Sequence, residues 1–277
     1  MPNLVWSYGV TTVPSRSETL LPHTLASLRS GGFSKPHLFV DGSRYGPRWD
    51  QYYNIGCGMT FREPAVNVAG NWVLSLYELY YREPNADRYA LFQDDLVTYR
   101  NLRQYLEGCV YPDGSEKARA AYGVDNCRGY LNLYTSPANA ALVPRSPGHA
   151  NTLPNAPKGL GPTGEFREGW YLSNQLGRGA VALVFCRDAV LVLLQSRHLA
   201  YRPMDCQRGK WAIDGGIVTA LAEADPKGQL GGPWREYCHY PSLVQHTGHP
   251  STLGKGEQPD APVFWDESFD ALKLLKS

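Results

Sequence analysis

The sequence has almost no net charge, no long apolar run and no paired cysteines, and each lack removes a class of function. Lys and Arg number 27 against 26 Asp and Glu, a formal net charge of +1. No global field therefore draws the chain to nucleic acid or to an anionic membrane. No apolar stretch approaches the ~20 residues that a membrane-spanning helix needs. The first residues, MPNLVWSYGV, lack the basic segment and apolar run of a secretory signal, so a cytoplasmic protein is expected. The six cysteines (Cys57, Cys109, Cys127, Cys186, Cys206, Cys238) form no C-x-x-C pair. That leaves no zinc-ligand spacing and reads as scattered reduced thiols. There is no internal repeat and no low-complexity tract.

What remains is a globular composition. The chain has 277 residues, 43% hydrophobic and 19% charged, enough for a full core in one large domain or two small ones. Arg outnumbers Lys more than two to one; its planar fork suits phosphate and carboxylate.

Strand-like and helix-like segments alternate through the front half. Asn3 to Thr12 is rich in β-branched and aromatic residues and reads as a strand. Leu20, Leu21, Thr24, Leu25 and Leu28 then share one helical face, with Ser15 or Ser17 available as cap and Gly31-Gly32 as stop. PHLFVDG gives a second strand ending at Asp41, which completes a β-α-β unit with a parallel pair. An irregular stretch carrying Gly46, Pro47 and Gly56 precedes a helix marked by Trp72, Leu76, Leu79 and Tyr80. YALFQ is the third clear strand, NLRQYLEGC a short helix, and Gly129 to Thr135 a further strand.

From Ser136 to Gly179 the composition shifts to Pro, Gly and Asn, the mark of a long loop of the functional or mobile kind, with one short aromatic strand around Trp170-Tyr171. GAVALVFCRDAVLVLLQS reads as strand then helix, and AIDGGIVTALAEA as a helix beginning near Asp214. YPSLVQHTGHPSTLG reads as a strand running into a polar loop. The fold class is α/β: a mixed, mainly parallel sheet flanked by helices, in a single domain. Ligands of such sheets bind beyond the carboxyl ends of the strands.

The polar clusters gather at those ends. RYALFQDDLV ends an apolar strand in Gln93-Asp94-Asp95, and a carboxylate pair there suits a hard divalent cation held against a diphosphate. Thr11, Thr12, Pro14 and Arg16 end the first strand, where hydroxyls and a turn can cradle a nucleoside. Asp41 ends the second, placed to accept hydrogen bonds from a base or ribose. Gly70 and Asn71 open a helix where a phosphate-sugar backbone could approach. Singly, each residue is also an ordinary cap, turn or helix entry. Trp170, Tyr171, Trp211 and Trp234 can stack on sugars or pack in a core.

Taken in this order, the segments resemble the GT-A glycosyltransferases, and LFQDDLV looks like the EDD version of their acidic DxD motif. YPSLVQHTGHPSTLG is similar to the closing motif of enzymes of the N-acetylglucosaminyltransferase IV type. The resemblance implies a nucleotide-sugar-binding half over residues 1–100 and an acceptor-binding, catalytic half over 101–277. It implies an inverting, metal-assisted hexosyl transfer from a UDP-sugar to a hydroxyl acceptor. Asp95 and His246 would hold Mn²⁺ or Mg²⁺, His249 being a weaker candidate. Gln93 stands where the motif has an acid, which rests the metal on Asp95 and the diphosphate and turns Asp94 toward ribose or sugar hydroxyls. Gly179 and Ala180 would leave room beside the donor sugar. Asp214 is the implied general base, with Asp205 and then Glu168 behind it; the plain alternative for Asp214 is a helix N-cap.

Three alternatives stay open. One is the same chemistry on a hydroxymethylated DNA base, for which the Arg excess leaves room and the neutral net charge gives no support. A second is nucleotidyl transfer, against which no Gly-rich, Arg/Lys-containing loop follows the first strand. A third is a non-catalytic nucleotide- or carbohydrate-binding module. The acceptor is a glycan, a protein or modified DNA; a lipid carrier is disfavoured by the lack of a membrane anchor.

Overall fold

The computed structural model describes residues 4–46, 48–109, 129–135, 169–173, 175, 177, 179–205, 213–224, 234–247 and 266–275. Among these residues ten strands and six α-helices lie in this order: β1 (Trp6–Thr12), α1 (Leu20–Ser30), β2 (His37–Val40), α2 (Asp50–Asn54), β3 (Met59–Phe61), α3 (Asn67–Arg82), β4 (Arg88–Gln93), β5 (Leu96–Thr98), α4 (Leu102–Gly108), β6 (Gly129–Asn132), β7 (Gly169–Leu172), β8 (Ala182–Cys186), α5 (Arg187–Gln195), α6 (Asp214–Ala224), β9 (Arg235–Tyr240) and β10 (Val244–His246).

Eight strands form one sheet in the order β3-β2-β1-β4-β8-β6-β9-β7, and β5 with β10 makes a small second sheet. β3, β2, β1 and β4 run parallel to one another, as do β6 and β9, while β8 and β7 run antiparallel to their neighbours. The sheet is thus mixed and mainly parallel, as the alternation of strand and helix segments predicts.

Strand alternation sorts side chains to two faces. From β4, Ala90 and Phe92 enter one core with Leu21, Leu25 and Leu28 of α1 and Leu102 and Leu106 of α4. Tyr89 and Leu91 enter the other, with Trp72, Val73, Leu76 and Leu79 of α3, Val190 and Leu193 of α5 and Ile217 and Leu221 of α6. Helices therefore cover both faces, and the strand ends are left to carry polar groups.

Four local expectations change. Neither Ser15 nor Ser17 caps α1: its N-cap is Thr19, without a side-chain bond, and Ser17 Oγ donates to the Pro14 carbonyl (2.7 Å). A 3-10 turn, Pro14–Arg16, intervenes and takes up Ser17. The irregular stretch after Asp41 contains α2 and β3, too short to show a period. Leu96–Thr98 and Val244–His246 pair across the sequence. The last expected strand begins only at Val244, as β10, and β9, which ends at Tyr240, precedes it unannounced.

β9 carries Arg235, Glu236 and His239, all buried. Glu236 is met by Tyr130 Oη, Asn132 Nδ2 and Ser173 Oγ (2.9, 2.9 and 2.5 Å). His239 Nδ1–H donates to the Pro241 carbonyl (2.7 Å), so Nε2 is the acceptor for the Tyr105 hydroxyl (2.6 Å). Burial then holds the imidazole neutral, its pKa pushed down from 6.5 to about 4. The unfolded chain takes up this proton near pH 6.5 and the folded chain only near 4. Stability is therefore lost as pH falls through that window, by about 2 kcal/mol at pH 5 from this group. Urea titrations at pH 7 and pH 5 check this: His239→Gln should lose about that much less than the parent chain between the two.

Candidate functional site at the strand ends

The site begins where β1 and β4 end side by side, Thr11 paired with Gln93. The chain then turns at Asp94-Asp95 before β5. Both aspartates are 2% exposed. Burial of a carboxylate is costly unless its oxygens are met, and three of the four are. Thr12 Oγ1 donates to Asp94 Oδ2 (2.6 Å). Arg16 Nη1, thrown back by the 3-10 turn, donates to Asp94 Oδ1 (2.6 Å) and Asp95 Oδ2 (2.8 Å). His246 Nε2, at the end of β10, stands 3.2 Å from that same Asp95 Oδ2. Asp95 Oδ1 has no hydrogen-bond partner.

The backbone beneath is clamped from both sides. Thr24 Oγ1 of α1 donates to the Asp94 and Leu96 carbonyls (2.8 and 2.9 Å). The Thr247 amide and hydroxyl both donate to the Asp95 carbonyl (2.9 and 3.0 Å).

Two adjacent buried carboxylates cannot be equal. Burial, then the Asp95 charge, push Asp94 up to about 6 against the pull of Arg16 and Thr12. Burial also acts on Asp95, but the hydrogen bond and charge of His246, with Arg16, hold it below its ordinary value. At neutral pH Asp95 is the firmly ionised member, and its Oδ1 is the oxygen left for an outside partner.

Toward β8 the edge continues through hydrogen bonds. Gln93 Nε2 donates to the Ala180 carbonyl (3.1 Å) and its amide to the Val181 carbonyl (2.8 Å). The Gly179 amide donates to Asp214 Oδ2 (2.8 Å). Asp214 is the first residue of α6. Residues 93, 180, 179 and 214 thus form one connected line.

Gly179 has φ +72, and a Cβ there would stand 2.6 Å from Tyr134 Cδ1. A side chain is excluded on both counts. Gly179→Ala should cost about 1–2 kcal/mol of stability. It should also cut any activity by roughly tenfold or more through displacement of Asp214; a thermal melt paired with a turnover assay reads both.

The other predicted residues are placed as follows. Thr11 Oγ1 donates to the Phe92 carbonyl (3.3 Å), and Pro14 starts the 3-10 turn. Asp41 follows β2, and its Oδ1 accepts the Val66 amide (2.7 Å). Burial lifts the Asp41 carboxyl above its ordinary value even so. Asn71 is 2% exposed. It donates to the Phe39 carbonyl (3.0 Å) and accepts from Arg62 Nε (3.3 Å), tying α3 to β2 and β3.

The bare face of Gly70 is met by Pro203 and Arg202, a Cβ there lying 3.3 Å from Pro203 Cα. Asp205 ends that same 3-10 turn, Arg202–Met204. Trp170 and Trp234 are buried, Trp170 edge-on to His239. Glu168, Trp211, His249, the Tyr171 side chain and most of the 136–179 loop lie outside the described residues.

Sequence reading misses three residues. Thr24 was visible only as one position of a helical face, and Thr247 only as the neighbour of His246. Arg62, after β3, pairs with Glu78 and leaves Nη2 buried without a partner.

Among the described residues, no group of three or more His, Cys, Asp or Glu side chains is gathered to hold a metal ion. The smaller set that is present still fits a hard cation of the Mg²⁺ or Mn²⁺ kind. It offers the unmet Asp95 Oδ1, with the His246 imidazole against the same carboxylate, the remaining ligands being left to a substrate's phosphate oxygens and water. No helix among the described residues is long and apolar enough to cross a membrane.

No family model matches the sequence, and no curated protein does. Solved structures of similar shape include a mannose-1-phosphate geranyltransferase from Thermus thermophilus (14% identity, TM-score 0.42, covering 84% of this chain and 73% of that one). GalNAc-T7 with UDP, GalNAc and Mn²⁺ overlaps at 11% identity and TM-score 0.47, over 91% of this chain and 46% of its own. A UTP-bound UGPase from Acinetobacter baumannii overlaps at 11% identity and TM-score 0.40, over 98% and 92%. The chain thus matches under half the length of GalNAc-T7. Overlaps this loose leave function to the geometry of the site itself.

Proposed function

We propose that the chain transfers a sugar from a nucleotide-sugar donor, UDP-linked by the family resemblance, to a hydroxyl acceptor with inversion. The observation that carries this is the hydrogen-bonded line from Gln93 through Ala180 and Gly179 to Asp214. It puts a carboxylate at a helix start on the same sheet edge as an acidic pair with an unmet oxygen. Transfer needs both: one group beside a departing diphosphate, another beside an attacking hydroxyl.

In this reading residues 1–100 take the donor. Thr11, Pro14 and Asp41 flank the nucleoside at the ends of β1 and β2. The diphosphate lies by Asp95 and His246, which would hold Mn²⁺ or Mg²⁺. When bound, that ion neutralises charge on the leaving group. Asp214 accepts the acceptor's hydroxyl proton as its oxygen bonds to the anomeric carbon. The bond from that carbon to the phosphate oxygen breaks, and UDP leaves with the electron pair. Attack comes from the face opposite the leaving group, so the anomeric configuration inverts. The Gly179 amide fixes Asp214 without a side chain in the sugar's way.

The test is product identity. Incubated with a panel of nucleotide sugars and Mn²⁺, the protein should release UDP from at least one. Pyrophosphate release from UTP and a sugar phosphate would replace this reading with nucleotidyl transfer. Nucleotide binding with neither product would leave a binding module.

A further inference from the structure

We infer that Arg16 is a positioning residue that keeps the acid pair from taking a divalent cation alone, so that the cation enters only together with the donor's diphosphate. The inference rests on the donor reading above and deepens it.

A bare pair of adjacent carboxylates is an attractive site for a hard cation, since both can serve as ligands. Here one of the two is withdrawn. Asp94 has both oxygens engaged, Oδ2 by Thr12 and Oδ1 by Arg16. Arg16 Nη1 also takes Asp95 Oδ2, which His246 Nε2 faces as well. One carboxylate oxygen, Asp95 Oδ1, is left unmet.

The guanidinium is placed firmly. Its residue ends a 3-10 turn, its amide donates to the Val13 carbonyl (3.0 Å), and its side chain is 13% exposed. Its positive charge stands where a cation bridging the pair would stand. What remains for an ion is one carboxylate oxygen beside a fixed positive charge, too little for tight binding. A diphosphate supplies the missing oxygens and negative charge at once.

Arg16 also sets which oxygen is offered. By holding Oδ2 it orients the Asp95 carboxylate with Oδ1 away from the guanidinium. The device thus couples ion entry to donor entry, and the coupling is reciprocal: the ion tightens the nucleotide by the factor by which the nucleotide tightens the ion.

Mn²⁺ binding, followed by the loss of its free-ion paramagnetic resonance signal and by calorimetry, tests this without any turnover. The parent protein should bind Mn²⁺ alone at least about tenfold more weakly than in saturating UDP. Arg16→Gln frees Asp94 as a second ligand and should tighten Mn²⁺ alone by about tenfold. Loss of a merely structural contact would weaken it. The double variant Arg16→Gln/Asp94→Asn, which keeps the net charge of the cluster, should return Mn²⁺ affinity to the parent value.

Equal Mn²⁺ affinity of parent and Arg16→Gln overturns the inference. So does a parent protein that binds UDP and yet takes Mn²⁺ as tightly without it as with it, a measurement that stands even should Arg16→Gln not fold. If UDP binds in no state while Arg16→Gln still tightens Mn²⁺, the donor reading fails and the guarding role of Arg16 survives.

Discussion

Asp214→Asn should lower turnover by about a thousandfold while UDP affinity stays within about twofold, the effect of deleting a general base and little else. The change is nearly isosteric. The Asn side-chain oxygen can accept the Gly179 amide as Asp214 Oδ2 does at 2.8 Å. The start of α6 and the Gln93–Ala180 contact are then undisturbed, and the melting temperature should move by no more than a few degrees. What disappears is a group able to take the acceptor's proton.

Steady-state kinetics with a turned-over donor, paired with UDP calorimetry, reads both halves. Unchanged turnover eliminates Asp214 as the base and moves attention to Asp205, which ends the turn packed against Gly70. Loss of UDP affinity in parallel with turnover would instead make Asp214 part of the donor pocket.

Asp95→Asn should abolish Mn²⁺-supported UDP binding, by roughly a hundredfold or more, and turnover with it. Asp95 carries the unmet oxygen and is the member of the pair kept ionised. The amide keeps the shape, so Arg16 can still close on Asp94. Removing the Asp95 charge also removes the second largest force raising Asp94, whose carboxyl should drop below its present value of about 6 while burial still lifts it. Calorimetry of UDP with and without Mn²⁺ measures the first effect, and an NMR titration of the Asp94 carboxyl measures the second. Retention of Mn²⁺-dependent UDP binding in Asp95→Asn would remove this residue from the donor site.

How much of this the residues announce differs from element to element. β1, α1, β2, α3, β4 and the β8–α5 pair are legible because their apolar residues follow one period and end in turn formers. β9 is not, since WREYCHY buries Arg235, Glu236 and His239. Glu236 and His239 are tolerated there because Tyr130, Asn132, Ser173 and Tyr105 arrive from distant segments to satisfy them. α2, β3 and the β5–β10 pair escape for a related reason. Elements of three to five residues carry no period, and the pairing of Leu96 with His246 is set by tertiary packing.

Within the site, the acidic pair at a strand end is plain in QDD. The choice that makes Asp95 the available carboxylate is not. It depends on Thr12 and Arg16 reaching across about eighty residues of sequence to occupy Asp94. Asn71 illustrates the converse: a Gly-Asn pair near a helix start looks like a phosphate cradle, yet its amide is spent on Phe39.

A crystal of the protein grown with UDP and Mn²⁺ tests the central claim most directly. The account predicts one ion bonded to Asp95 Oδ1 and His246 and to the β-phosphate, with the uridine along the ends of β1 and β2. Nucleotide bound at any other edge of the sheet, or an ion held by Asp94 in place of Asp95, would contradict it.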